Sequence, residues 1–362
     1  MSLDFELIMG FLTPLIFYAG ITLLHTLLPA KKMKGYIKNE KTGAIMNYRL
    51  NGIVVLSVSV LIWFLLGYFK FVSFDWLYQV RWASLVGAVV IGLVFSVIIV
   101  FRAPSTGKGI ITDFWFGRIK DPQAGAGFID AKMWLYMVGA TMLQLHILSF
   151  TYYHWQNVEV INPGFFLGAA MLTWFIWDYN IFEKVHLYTY DFVAERTGFK
   201  LCFGCLAFYP YFYAVSLWFT AHLPNPGHPV WLTVIYGLVF LCGWILARGA
   251  NMQKYIFKTA PDKSFLGIKP EVITDGKRSL LVNGFWGLSR HINYLGEILM
   301  GCGVALATGY PAIWFVWLYP AYYVALMFTR EYDDRIICKA KYGYLWDQYA
   351  RKVKYKIIPF IY

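Results

Sequence analysis

Nine stretches of this chain are apolar over lengths that suit a hydrocarbon core, and that pattern limits the fold more than any single motif. They lie at roughly 8–28, 50–69, 83–101, 133–151, 163–178, 201–221, 230–247, 292–309 and 312–329, and a bilayer crossing takes about 20 apolar residues. Of the 362 residues, 59% are apolar and only 14% charged, with a mean hydropathy of +0.52, well outside the range of water-soluble domains. The expected fold is all-α: a polytopic membrane protein of about nine to ten transmembrane helices. The first stretch is longer than a signal-peptide core and has no basic segment before it, so it is expected to remain in the mature protein.

A net charge of +12 fits either a nucleic-acid surface or membrane topology, and the distribution of the charge decides. If the spans alternate from an N-terminus outside, all Lys and Arg except Lys70 and Arg81 fall in cytosolic segments, which is 30 of 32. The positive-inside rule then places the C-terminus in the cytosol and excludes nucleic acid as the partner. The basic loop of Lys31, Lys32, Lys34, Lys38 and Lys41 also suits anionic lipid headgroups. Cys202 and Cys205 form a CxxC pair inside a span, where two small thiols one turn apart are packing residues; no metal site is expected.

No repeat or flexible linker interrupts the pattern, so the chain reads as a single membrane domain, with N-terminal spans over 1–130 and a catalytic half over 131–362. Polar residues concentrate in that second half. Arg248, Asn251, Lys254 and Lys258 recur every three to four residues, which puts them on one stripe of a helix leaving the seventh span. Such a stripe offers a bidentate fork and point charges to phosphate, although on the stripe alone positive-inside flanking is the stronger reading. In the run from Gly284 to Glu297, glycines allow close backbone approach, Trp286 and Tyr294 offer flat faces, and Arg290, His291 and Asn293 offer donors. Arg330, Asp334, Cys338 and Lys341 recur on one face of a last helix, followed by Tyr342. Asp178 and Glu183, ionisable groups beside a span, are functional candidates because charge at that depth is costly.

Taken in order, these segments resemble the sterol reductase family, which includes the Δ14-, Δ7- and Δ24-sterol reductases and the membrane half of lamin B receptor. The resemblance covers nearly the whole chain through LLPAKKMKG and YRLNG (27–52), DFWFGR (113–118), the acidic run Asp178 to Asp191, GFKLCFG (198–204), RGANMQKYIF (248–257), LLVNGFWGLSRHINYLGE (280–297) and the segment 329–362. It implies NADPH held by the C-terminal helices beside a sterol pocket, in the endoplasmic reticulum or a bacterial inner membrane. Matched motif by motif, the cofactor contacts fall on Arg248, Asn251, Lys254, Trp286, Arg290, His291, Asn293, Tyr294, Arg330, Asp334, Tyr342 and Trp346.

The implied reaction is reduction of a sterol carbon–carbon double bond, with Δ14 ranked first, then Δ24 and Δ7. It needs an acid to protonate one carbon and a hydride for the other. The candidate acids are Asp334 and Asp178, with Tyr213 or Tyr211 behind them. Ile292 stands where the family motif has Pro, Asp333 where many members have Arg, and Phe175 where many have a Tyr suited to donate the proton. Two other classes compete: an isoprenylcysteine-type membrane methyltransferase using S-adenosylmethionine, and a non-catalytic sterol-binding protein.

Overall fold

The computed structural model describes residues 3–39 and 43–362, so Lys41 of the basic loop lies outside the described residues. The chain packs as two compact units, Met1–Asn225 and Pro226–Tyr362.

In the first unit the long helices are α1 (Leu3–Leu27), α2 (Gly52–Tyr68), α3 (Arg81–Phe101), α4 (Ala131–Asn157), α5 (Pro163–Ile181) and a composite α6 (Phe199–Thr220). Their starts follow local chemistry. Asp130 caps α4 by accepting from the Met133 N–H at 3.0 Å, and Asn162 caps α5 through Gly164 N at 2.9 Å, with Pro163 in the first turn. Helix α4 is the centre of the unit, with Leu135, Val138, Ala140, Met142, Leu143 and Phe150 fully buried.

Helix α6 widens into a π-turn at Gly204–Phe208, just before Pro210. Proline has no N–H to return to the carbonyl of Leu206, and that carbonyl accepts from the Tyr18 hydroxyl of α1 instead.

Between α1 and α2 lies a hairpin absent from an all-helix reading: β1 (Lys31–Lys38) pairs antiparallel with β2 (Ile45–Leu50). Its inner face sets Ile37, Met46 and Tyr48 on Met133, Leu187 and Phe192. Gly35 lies flat on the Tyr48 ring, where a Cβ would come within 2.3 Å. Buried beneath, the Lys132 ammonium pairs with Asp121 at 2.8 Å and donates to the carbonyls of Glu195 at 2.6 Å, Asp191 at 3.1 Å and Phe192 at 3.4 Å. One cation thereby fixes the loop that follows α5.

The DFWFGR motif organises another loop. The Asp113 carboxylate accepts from Thr106 Oγ1, from Ser105 Oγ at 2.8 Å, from Thr106 N at 3.2 Å and from Arg118 Nε at 2.9 Å. Those bonds, Thr106 foremost, hold its pKa down at about 2.

The second unit contains α7 (Val230–Thr259), a short hairpin pairing Val272–Thr274 with Ser279–Leu281, α8 (Ile292–Ala307), α9 (Leu318–Tyr342) and α10 (Tyr344–Lys352). Helices α7 and α8 cross at Gly243 and Gly296; a Cβ on Gly296 would stand 2.5 Å from the Gly243 carbonyl oxygen. Small residues here let two membrane helices touch through their backbones.

Among the described residues, five helices are long and apolar enough to cross a membrane by themselves: Asp4–Leu27, α3, α4, α6 and α7. Helices α2 and α8 are apolar but shorter, at 17 and 16 residues. The ninth stretch continues without a break from its apolar half into the charged motif, so α9 carries Arg330 and Asp334 on the same rod as the span.

Candidate cofactor and substrate sites

The polar stripe of the seventh span lies on one unbroken helix, α7, with Arg248, Asn251 and Lys254 half-buried along it. The segment before α8 folds against this stripe. Gly284, at φ +61, brings the chain so close to Gln253 that a Cβ would meet its Nε2 at 2.3 Å. Gln253 Oε1 then accepts from Phe285 N at 3.0 Å, and its Nε2 donates to Asn283 O at 3.3 Å. Next in the chain, Trp286 Nε1 donates to the Ala250 carbonyl at 2.8 Å, and its ring lies 5.6 Å from Lys254 Nζ. Gln253 was not among the residues singled out by sequence, although it stands inside the RGANMQK motif.

At the start of α8 the structure brings three helices together. Asn293 Nδ2 donates to Asn251 Oδ1 of α7 at 3.4 Å. His291 Nε2 lies 3.7 Å from Asp334 Oδ2 of α9, and its ring stacks on Tyr294 with centroids 4.8 Å apart. Burial pushes the His291 pKa down to about 4; Asp334 opposes the shift, while Arg290 and Lys254 add to it. The imidazole is therefore neutral near pH 7. Its Nε2 and the Asn293 Oδ1 are both buried without a hydrogen-bond partner, a costly state for polar atoms unless a ligand completes them. Asp334 also accepts from the Cys338 thiol, with Sγ at 3.6 Å.

Three of the expected cofactor residues are occupied with packing. Arg290 donates through Nη2 to Lys354 O at 3.2 Å and through Nε to Tyr355 O at 3.5 Å. Trp346 is buried with Val282, Tyr349 and Val353, and Tyr342 packs at the edge of that cluster. Arg330 lies half-buried on α9, one turn before Asp334.

The remaining candidates belong to the first unit. Phe175 and Asp178 lie on α5, and the Phe175 ring is 6.3 Å from that of Tyr213, which also meets Tyr209 edge-on at 4.5 Å. Tyr211 is committed elsewhere: its hydroxyl lies 2.6 Å from Ser84 Oγ and donates to Ser84 O at 3.0 Å.

Among known proteins, the pattern of the ergosterol biosynthesis ERG4/ERG24 family matches residues 8–362. The chain belongs to that family. Its relatives include the Delta(14)-sterol reductase of Arabidopsis thaliana, 32% identical with both chains covered in full. The Delta(14)-sterol reductase erg24 of Schizosaccharomyces pombe is 30% identical over 96% of this chain and 84% of that one. ERG24 of Saccharomyces cerevisiae is 28% identical over 96% and 82%. As a member of this sterol reductase family, the chain is a polytopic membrane protein and an oxidoreductase, which sets aside the methyltransferase reading.

Proposed function

We propose that this family member reduces a sterol carbon–carbon double bond with NADPH, the Δ14 bond ranked ahead of Δ24 and Δ7. The observation that carries the cofactor reading is the pair of buried, unsatisfied atoms His291 Nε2 and Asn293 Oδ1 at the start of α8, beside Asp334 and packed against the helices that bear Arg248, Lys254 and Arg330. Neutral donors and acceptors of this kind suit a carboxamide or ribose, and the cations suit phosphate, so the residues present fit a phosphorylated dinucleotide.

In this reading Arg248, Lys254 and Arg330 bind the charged groups, Asn251 and Asn293 bind neutral polar edges, and Trp286 and Tyr294 offer flat faces. Arg290, Tyr342 and Trp346 hold the surrounding chain in place. When bound, NADPH supplies the hydride. The chain supplies the proton, from Asp334 or, in the first unit, from Asp178 or Tyr213. Because Phe175 has no hydroxyl, the donor must be one of these others. The catalytic half accordingly runs over 131–362.

The sterol enters from lipid, and the basic segments face the cytosol, with the membrane being endoplasmic reticulum in a eukaryote or inner membrane in a bacterium. The test is binding of labelled NADPH against S-adenosylmethionine to purified protein, followed by sterol mass spectrometry after expression in yeast lacking one sterol reductase at a time. Retention of NADPH alone and rescue of a Δ14-deficient strain are expected; no rescue of any strain would leave only a sterol-binding protein.

A further inference from the structure

The chain after α10 curls into a closed loop. Tyr362 N and Ile361 N donate to Ile358 O at 2.9 and 3.2 Å, and Tyr362 O accepts from the N–H groups of Lys356, Ile357 and Ile358 at 2.7, 3.0 and 3.1 Å. Within it Phe360 adopts φ +67, a left-handed conformation that is strained for an aromatic residue and persists only where the surroundings enforce it. Ile357 points inward and is fully buried, whereas Phe360 and Ile361 are turned outward, 85% and 80% exposed. The turn leaves both large apolar side chains exposed although the Phe360 ring tilts onto that of Tyr355 at 5.3 Å, an arrangement suited to an apolar phase that receives them.

The attachments of the loop fix its depth. On one side Ser289 Oγ donates to Ile357 O at 2.9 Å, Arg290 N to Tyr355 O at 2.9 Å and His291 N to Lys356 O at 2.8 Å, directly before α8 begins. On the other side the Tyr362 ring stacks on Phe328 at 5.1 Å, and its hydroxyl donates to Glu331 Oε2 at 3.4 Å, where α9 passes from apolar to charged sequence. With α8 and α9 read as spans, both attachments stand where their apolar sequence gives way to charged sequence, which is the level of the headgroups. Arg351, Lys352 and Lys354, all exposed, precede the loop in the chain and suit anionic lipid.

We propose that the Phe360–Ile361 turn is an interfacial anchor, inserted into the headgroup–acyl boundary of the leaflet at the end from which α8 starts. The same loop carries the carbonyls that hold Arg290 and His291, so the bilayer surface becomes part of what positions that segment. The anchor does not depend on the reductase reading.

The full-length protein, carrying the photo-crosslinker p-benzoylphenylalanine at position 360 and reconstituted in nanodiscs of phosphatidylcholine with phosphatidylglycerol, tests it. After irradiation, mass spectrometry should find phospholipid adducts at 360 in several-fold excess over the same probe at 344, since Tyr344 is also exposed but lies on α10. If the bulkier probe disturbs the turn at 360, the probe at 361 reads the same contact. Absence of lipid adducts at both 360 and 361, or a yield no higher than at 344, overturns the proposal.

Discussion

His291 Nε2 stands 3.7 Å from Asp334 Oδ2, which joins the start of α8 to the charged half of α9. With the imidazole held neutral by burial, this is a polar contact and not a salt bridge. If Asp334 donates the proton, Asp334→Asn should lower turnover about a hundredfold at saturating NADPH, and extra cofactor should not help. Arg330→Gln should behave differently, losing about 1.5–3 kcal/mol of cofactor binding and appearing chiefly as a raised KM for NADPH. An Asp334→Asn enzyme restored to full turnover by more NADPH would move the acid to Asp178 or Tyr213.

The buried Lys132 ammonium is surrounded by Asp121 and three main-chain carbonyls. Lys132→Met keeps the volume but strands the Asp121 carboxylate and those carbonyls, a loss of about 3–5 kcal/mol for a broken buried pair. Thermal unfolding in detergent should show a clear fall in Tm, with faster proteolysis within 186–197. An unchanged Tm would show that this cluster does not hold the loop.

Stability should fall with rising pH through Glu183. Its carboxyl accepts from Gly52 N at 3.1 Å at the start of α2, and burial, only partly opposed by that bond, pushes its pKa up to about 8. The folded state therefore keeps a proton that the unfolded state releases near the ordinary value of about 4.3, so folding is favoured below that value and loses stability as pH rises towards 8. Glu183→Gln should flatten that part of the Tm profile between pH 5 and 8.5. A slope identical in both proteins would assign the dependence to another group.

Gly296→Leu should force α7 and α8 apart, because its Cβ would stand 2.5 Å from the Gly243 carbonyl oxygen. Overpacking costs about 1–3 kcal/mol or more, and it should also abolish NADPH binding by separating Asn251 from Asn293. Gly204→Ala, where no atom lies within 4 Å of a new Cβ, is the control and should leave Tm nearly unchanged. Equal behaviour of the two variants would show that the crossing does not matter.

Among the described residues, seven of the nine apolar stretches coincide with apolar helices, five of them long enough to cross a membrane, whereas 163–178 and 312–329 do not reach that measure. Long apolar runs need no tertiary information, and the polar stripe of α7 followed from its spacing alone. The basic loop gave no strand signal strong enough to reveal β1 and β2, since half of each strand faces water and lysines dominate it. Sequence placed Arg290 beside the cofactor, whereas its donors reach the carbonyls of Lys354 and Tyr355, 64 and 65 residues further on. No local pattern encodes such a contact. The same holds for Lys132, whose carbonyl partners lie about sixty residues away, and for the burial that leaves His291 Nε2 and Asn293 Oδ1 unsatisfied. Residue type identified the candidates, and long-range packing decided which of them, such as Arg290 and Trp346, are tied to the protein's own chain.

The central claim is tested most directly by incubating the purified, reconstituted protein with a sterol bearing a Δ14 double bond and NADPH deuterated at the transferable C4 position. The account expects a sterol lacking that double bond and carrying one deuterium from the cofactor and one hydrogen from water, with NADH a much poorer donor. A sterol recovered unchanged, or one reduced without incorporating the cofactor's deuterium, would contradict it.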